Sequence, residues 1–173
     1  MISNTKVCSR CNQEKLLSEF SNSSSTKDGK MYVCKNCNRE INREWRQTPS
    51  GIYTTIKSRE TFRKNKEVSI NRDDFIEWYN SQPKICGYCD LPEKYGDLMR
   101  KYFGAHGVRL TVDCIDNDKG YVKDNLILAC DRCNFIKSNI FTYDEMRFIG
   151  QNYIKPKWRS FPEITKQSKE VKE

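Results

Sequence analysis

The chain has 173 residues, enough for one ordinary domain or two small ones. Hydrophobic residues make up 36% and charged residues 31%, which argues against a single large apolar core and leaves a chain that needs reinforcement beyond burial. The 31 Lys and Arg against 23 Asp and Glu give a net charge of +8. Such a surplus fits a polyanionic partner, nucleic acid before membrane, because phosphate contacts release counterions.

The first element in chain order is a ribbon-like unit over residues 1–38, with Leu16, Leu17, Phe20 and Tyr32 as its apolar cluster and Asp28-Gly29 as a turn signal. Residues 39–82 read as a basic helical linker. Ile41, Trp45, Ile52, Ile56 and Phe62 form its apolar stripe, Thr48-Pro49 restarts the helix, and Asn71 caps a short helix over Arg72 to Ser81. Phe75, Ile76, Trp78 and Tyr79 are the packing face of that helix. Between Arg39 and Arg72 stand nine Lys and Arg but four Asp and Glu. Arg39, Arg43, Arg46, Lys57, Arg59, Arg63 and Lys64 are therefore candidate contacts to a nucleic-acid backbone, against the plainer reading of a solvated helix face. Residues 90–105, with Pro92, Gly96 and Gly104, are expected to be irregular. Val108 to Ile115 and Leu126 to Ala129 read as strands around an Asp116–Gly120 turn, with a helix opening near Cys130. Thr142-x-x-Glu145 predicts a capping box on a last helix with Met146, Phe148, Ile149 and Tyr153 inward, and the charged segment 155–173 is expected to fray beyond Pro156.

Eight of the nine cysteines form four C-x-x-C pairs: Cys8/Cys11, Cys34/Cys37, Cys86/Cys89 and Cys130/Cys133. No apolar run approaches the ~20 residues of a membrane span, and Met1 to Lys6 lacks the core of a signal peptide. The chain thus reads as intracellular, where thiols stay reduced and paired cysteines bind metal. Pairing the knuckles in order gives two closed four-thiolate sites, each fit for a structural zinc whose binding is part of folding.

The segment from Val112 through Asp113, Asn125 and Cys130-Asp-Arg-Cys133-Asn134 to Lys137 resembles the HNH endonuclease motif, in which a ββα-metal hairpin and helix hold one divalent ion. Within that family the likeness is to phage-encoded and restriction members whose motif is wrapped by one four-cysteine zinc and preceded by another. The resemblance implies a small α+β protein with an N-terminal zinc ribbon, a helical linker and a ββα-metal domain over residues 83–154. It also implies Mg²⁺ or Mn²⁺ held by Asp113 and Asn134, Asn125 as a loop brace, and Lys137 reaching a phosphate of double-stranded DNA. The chemistry agrees, since a hard cation needs only a carboxylate and an amide oxygen from the protein and retains its waters.

The family's usual general-base histidine follows the motif aspartate, but here that position is Cys114, a thiol poorly suited to activating water at neutral pH. His106, the single histidine, and Tyr88, within the Cys86–Cys89 knuckle, stand as alternative bases. Three functions remain open: a metal-dependent endonuclease, as a monomer or a homodimer; a noncatalytic zinc-ribbon DNA-binding protein derived from one; and a junction-resolving nuclease.

Overall fold

The computed structural model describes residues 4–63, 67–104 and 109–165, and gives residues 61–63 by their helical backbone alone. The chain forms two compact units, Met1–Thr55 and Ile56–Glu173.

In the first unit β1 (Thr5–Val7) pairs antiparallel with β2 (Glu14–Leu16), and β3 (Phe20–Asn22) with β4 (Lys30–Cys34). Cys8 and Cys11 lie in the β1–β2 turn. Cys34 ends β4 and is the N-cap of α1 (Lys35–Arg46), whose first turn carries Cys37. The buried centre consists of Cys8, Cys34, Cys37 and the ring of Phe20, with Cys11 and Val33 packed against it. The expected apolar cluster is corrected here: Leu16 and Tyr32 are exposed, and Lys6 lies over the rings of both Phe20 and Tyr32. Strands of three to five residues leave too little interior for more than one ring. After α1, Thr48 restarts the helix by accepting the Gly51 N–H on its hydroxyl at 3.1 Å, opening α2 (Pro49–Arg63). Ile41 and Trp45 are exposed, so the expected apolar stripe is buried only from Ile56; the Phe62 side chain lies outside the described residues.

The second unit places α3 (Arg72–Ser81), capped by Asn71 through the Asp74 N–H at 2.9 Å, before the knuckle Cys86–Cys89. The segment expected to be irregular is instead a 3₁₀ turn, Glu93–Tyr95, running into α4 (Gly96–Phe103). Its glycines hid it: Gly96 is the first helical residue, and Gly104 is the left-handed residue that ends the helix (φ 59°). Met99 anchors this helix in the core. β5 (Thr111–Cys114) and β6 (Leu126–Ala129) form an antiparallel hairpin, with Asp113 opposite Ile127. α5 (Asp131–Lys137) follows at once, with Cys130 as its N-cap.

The Thr142–Glu145 capping box forms in full and starts α6 (Tyr143–Ile149), which continues through a π-helical turn, Gly150–Ile154, into α7 (Lys155–Arg159). Met146 is buried as expected, but Phe148 and Tyr153 are exposed. The expected fraying beyond Pro156 is also corrected. Pro156 lacks an N–H and its ring would clash in a regular α-helix; the wider turn before it, closed by the Lys155 N–H on the Gly150 carbonyl, lets the helix pass through. Trp158, Phe161 and Ile164 then bury their side chains. Among the described residues, no helix is long and apolar enough to cross a membrane.

Candidate active site

Two groups of four thiols assemble as the spacing predicted. Cys8, Cys11, Cys34 and Cys37 form one, Cys86, Cys89, Cys130 and Cys133 the other, and within each the sulfurs lie within 4.8 Å of one another. The Cys89 and Cys130 sulfurs are 3.8 Å apart, the edge expected of a tetrahedron with ~2.3 Å metal–sulfur bonds. Backbone N–H groups point at the sulfurs, Cys34 N to Cys8 Sγ at 3.3 Å and Cys133 N to Cys130 Sγ at 3.4 Å. Backbone hydrogen bonds from Cys11 and Cys34 push the Cys8 thiol down to about 6, whereas burial and the neighbouring thiols push Cys37 up to about 12, so four thiolates together need a cation among them. A closed set of four thiolates fits zinc in a structural role.

The second cluster sets α5 against β5. Because Thr111 and Asp113 are two apart on a strand, they share a face. α5 crosses that face: the Asn134 amide donates to Thr111 Oγ1 at 3.1 Å, and Lys137 Nζ stands 3.6 Å from Asp113 Oδ2. One turn of helix is thereby matched to two residues of strand. Asn134, next to Cys133, faces the same side as the Asp113 carboxylate. With its Nδ2 committed to Thr111, its Oδ1 is left as an acceptor.

Asp113 is buried and ringed by donors. Its Oδ1 accepts the Cys114 N–H at 2.9 Å, and its Oδ2 accepts the Tyr88 hydroxyl at 2.9 Å. Tyr88 is itself buried, its ring 5.8 Å from that of Tyr143. Burial first, and then the Asp113 charge and hydrogen bond, push the phenol far above its ordinary range.

Lys137 departs from its expected place at a phosphate. It is 0% exposed and donates to the Cys114 carbonyl and Asn117 Oδ1, both at 2.9 Å, beside Asp113. Its stem lies on the inner face of α5, so the ammonium ends within the protein. Asn125 is buried and closes the β5–β6 loop, accepting the Asp116 N–H at 2.7 Å and donating to the carbonyls of Asp116 at 2.8 Å and Gly120 at 2.7 Å. The Cys114 thiol is buried too, pointing to the opposite face of β5 from Asp113. His106 and Lys64 lie outside the described residues, as does the Arg63 side chain. Arg39, Arg43, Arg46, Lys57 and Arg59 are exposed, and Lys57 pairs with Glu60 at 2.7 Å.

Sequence reading missed the groups that hold Tyr88 from behind. The Tyr88 carbonyl accepts Arg147 Nη1 at 3.1 Å and Gln151 Nε2 at 2.7 Å, and Arg147 also binds Asp90 Oδ1 at 2.6 Å. Gly150 lies so close that a Cβ there would stand 2.4 Å from the Tyr88 oxygen. Trp158 Nε1 donates to the Cys89 carbonyl at 3.0 Å. The one available signal was the four-residue spacing of Arg147, Gln151 and Lys155 along a helix.

Among solved structures, the chain is similar to the rare-cutting HNH restriction endonuclease PacI, with 29% identity over 88% of this chain and 94% of that one, at a TM-score of 0.53. The fold is that of an HNH endonuclease. That likeness supports a nuclease-like function, and the two four-cysteine clusters fit zinc sites. A second relative is an uncharacterized protein of Acanthamoeba polyphaga mimivirus, R423, 30% identical over 112 residues. That match takes in 60% of this chain and 18% of the viral protein, so the chain spans under a fifth of that relative's length. No protein-family model matches the chain.

Proposed function

We propose that the chain is a metal-dependent DNA endonuclease of the HNH type, hydrolysing phosphodiester bonds with two structural zincs and one Mg²⁺ or Mn²⁺. The observation that carries this reading is the crossing of α5 over the Thr111/Asp113 face of β5, beside a four-thiolate clamp. Asp113 and Asn134 are the oxygen ligands in this reading, and a carboxylate with an amide suits a hard cation. When bound, that ion neutralises charge on the scissile phosphate and on Asp113.

The chain's own side chains do the rest. Tyr88 and His106 are the two candidates for taking the proton from the attacking water, and the Tyr88 phenol, which donates to Asp113 at 2.9 Å, can do so only after losing its own. Lys137 and Asn125 do not react: one fixes the Asp113 carboxylate and the other the loop behind it. The exposed basic side chains Arg39, Arg43, Arg46, Lys57 and Arg59, together with Arg63 and Lys64, contact the DNA.

One observation favours the noncatalytic alternative: Cys114 stands where the family's histidine is usual, with its thiol buried away from the site. Plasmid cleavage separates the two readings. The zinc-loaded protein should nick or cut supercoiled DNA only with added Mg²⁺ or Mn²⁺, and Asn134→Ala should abolish cutting while keeping both zincs. Salt-dependent DNA binding with no cutting at any metal concentration would favour the noncatalytic protein. Cutting confined to branched substrates would favour the junction-resolving one.

A further inference from the structure

The outer face of α1 is built unlike that of any other helix described. At ~100° per residue, Lys35, Arg39, Asn42, Arg43 and Arg46 fall within an arc of about 100°. Gln47 lies at its edge. Arg39, Asn42, Arg43, Arg46 and Gln47 line a shallow groove of about 360 Å³. The acidic residues of α1 turn away from this arc, and Glu44 is paired with Arg10 at 2.7 Å. Cys37, the buried residue of the helix, projects to the far side, towards the zinc cluster. The cationic face is therefore directed outward, and Arg39, Asn42, Arg43 and Arg46 are all exposed.

Phosphate attraction alone asks only for positive charge. This face offers more: three forked guanidiniums interleaved with two carboxamides, the side chains that pair in bidentate fashion with guanine and adenine edges. A single helix, ~10–12 Å across with its side chains, fits a B-form major groove ~12 Å wide. The deep, narrow major groove of A-form RNA excludes it. The 12 residues of α1 span ~18 Å, enough to place Arg39 and Arg46 about two turns apart along a groove.

We infer that α1 enters the DNA major groove and reads base edges through Arg39, Asn42, Arg43 and Arg46, making the N-terminal unit the source of sequence preference. This deepens the endonuclease reading above and rests on it for the identity of the partner.

The test is selection of bound duplexes from a randomised pool by the full-length, zinc-loaded chain in Ca²⁺ buffer, followed by affinity measurements on the selected duplex. Wild type should enrich a defined sequence. Arg43→Lys keeps the charge but loses the fork, and Asn42→Ala removes only an amide. Each should relax preference at discrete positions and lower discrimination about tenfold, with the salt dependence of binding unchanged. Enrichment of no sequence by wild type, preferences unmoved by both variants, or equal retention of double-stranded RNA would overturn the inference. A chain that selects a sequence but never cuts supports the reading helix while removing the nuclease. One that cuts with preferences unmoved does the reverse.

Discussion

Tyr88 and Asp113, 25 residues apart, meet as a buried hydrogen bond of 2.9 Å between phenol and carboxylate. Tyr88 sits between two metal-site cysteines and Asp113 on the strand that α5 crosses, so the bond ties the thiolate clamp to the candidate cation site. This coupling makes it possible to separate structural from chemical roles by substitution.

Tyr88→Phe keeps the ring and its packing against Tyr143 but removes the hydroxyl. If the phenol oxygen serves as the base, cleavage should fall at least ~100-fold, while stability falls by only about 1 kcal/mol. Both are read from the same preparation, by plasmid nicking and thermal melting. Unchanged cleavage would reduce Tyr88 to a packing residue.

Lys137→Met strands the buried Asp113 carboxylate without its cation. A loss of about 3–5 kcal/mol in urea unfolding is expected. A surface lysine at a phosphate would instead leave stability unmoved and weaken DNA binding, so the two measurements together decide which lysine this is.

Gly150→Ala places a methyl where only 2.4 Å separates it from the Tyr88 carbonyl oxygen. The backbone must shift, at a cost of roughly 1–3 kcal/mol. Because the displaced residue is Tyr88, cleavage should drop further than the same loss of stability produces elsewhere. Zinc content, measured by mass spectrometry, should remain two per chain.

Removal of zinc should unfold the protein, since few other groups can replace the clusters as centres of packing. A strong chelator should abolish the near-ultraviolet circular dichroism and release two zinc ions per chain. A chain still cooperatively folded without zinc would contradict the structural role of the clusters.

What could be read from the sequence was local or carried by metal spacing. The knuckles declare themselves because two cysteines three apart form a turn by themselves. Thr142 with Glu145, and Asn71 ahead of α3, announce helix starts through single side chains. The β5–β6 hairpin follows from alternation around a glycine turn. The remainder depended on distant partners. Lys137 looks like any solvated lysine until Cys114, Asn117 and Asp113 are brought around it from 20 to 24 residues away. α4 was hidden by glycines that serve as its ends, and the last helix by a proline that a π-helical turn accommodates. The pairing of Tyr88 with Asp113 was not read at all, because no periodicity links a knuckle to a strand.

The central claim is that Asp113 and Asn134 share one divalent ion on the face where α5 crosses β5. Manganese binding to the zinc-loaded chain, followed by electron paramagnetic resonance without DNA, tests it independently of turnover. The account predicts one Mn²⁺ per chain, lost in Asn134→Ala with both zincs and the melting transition retained. Manganese bound equally by the variant, or by neither protein at millimolar metal, would contradict it.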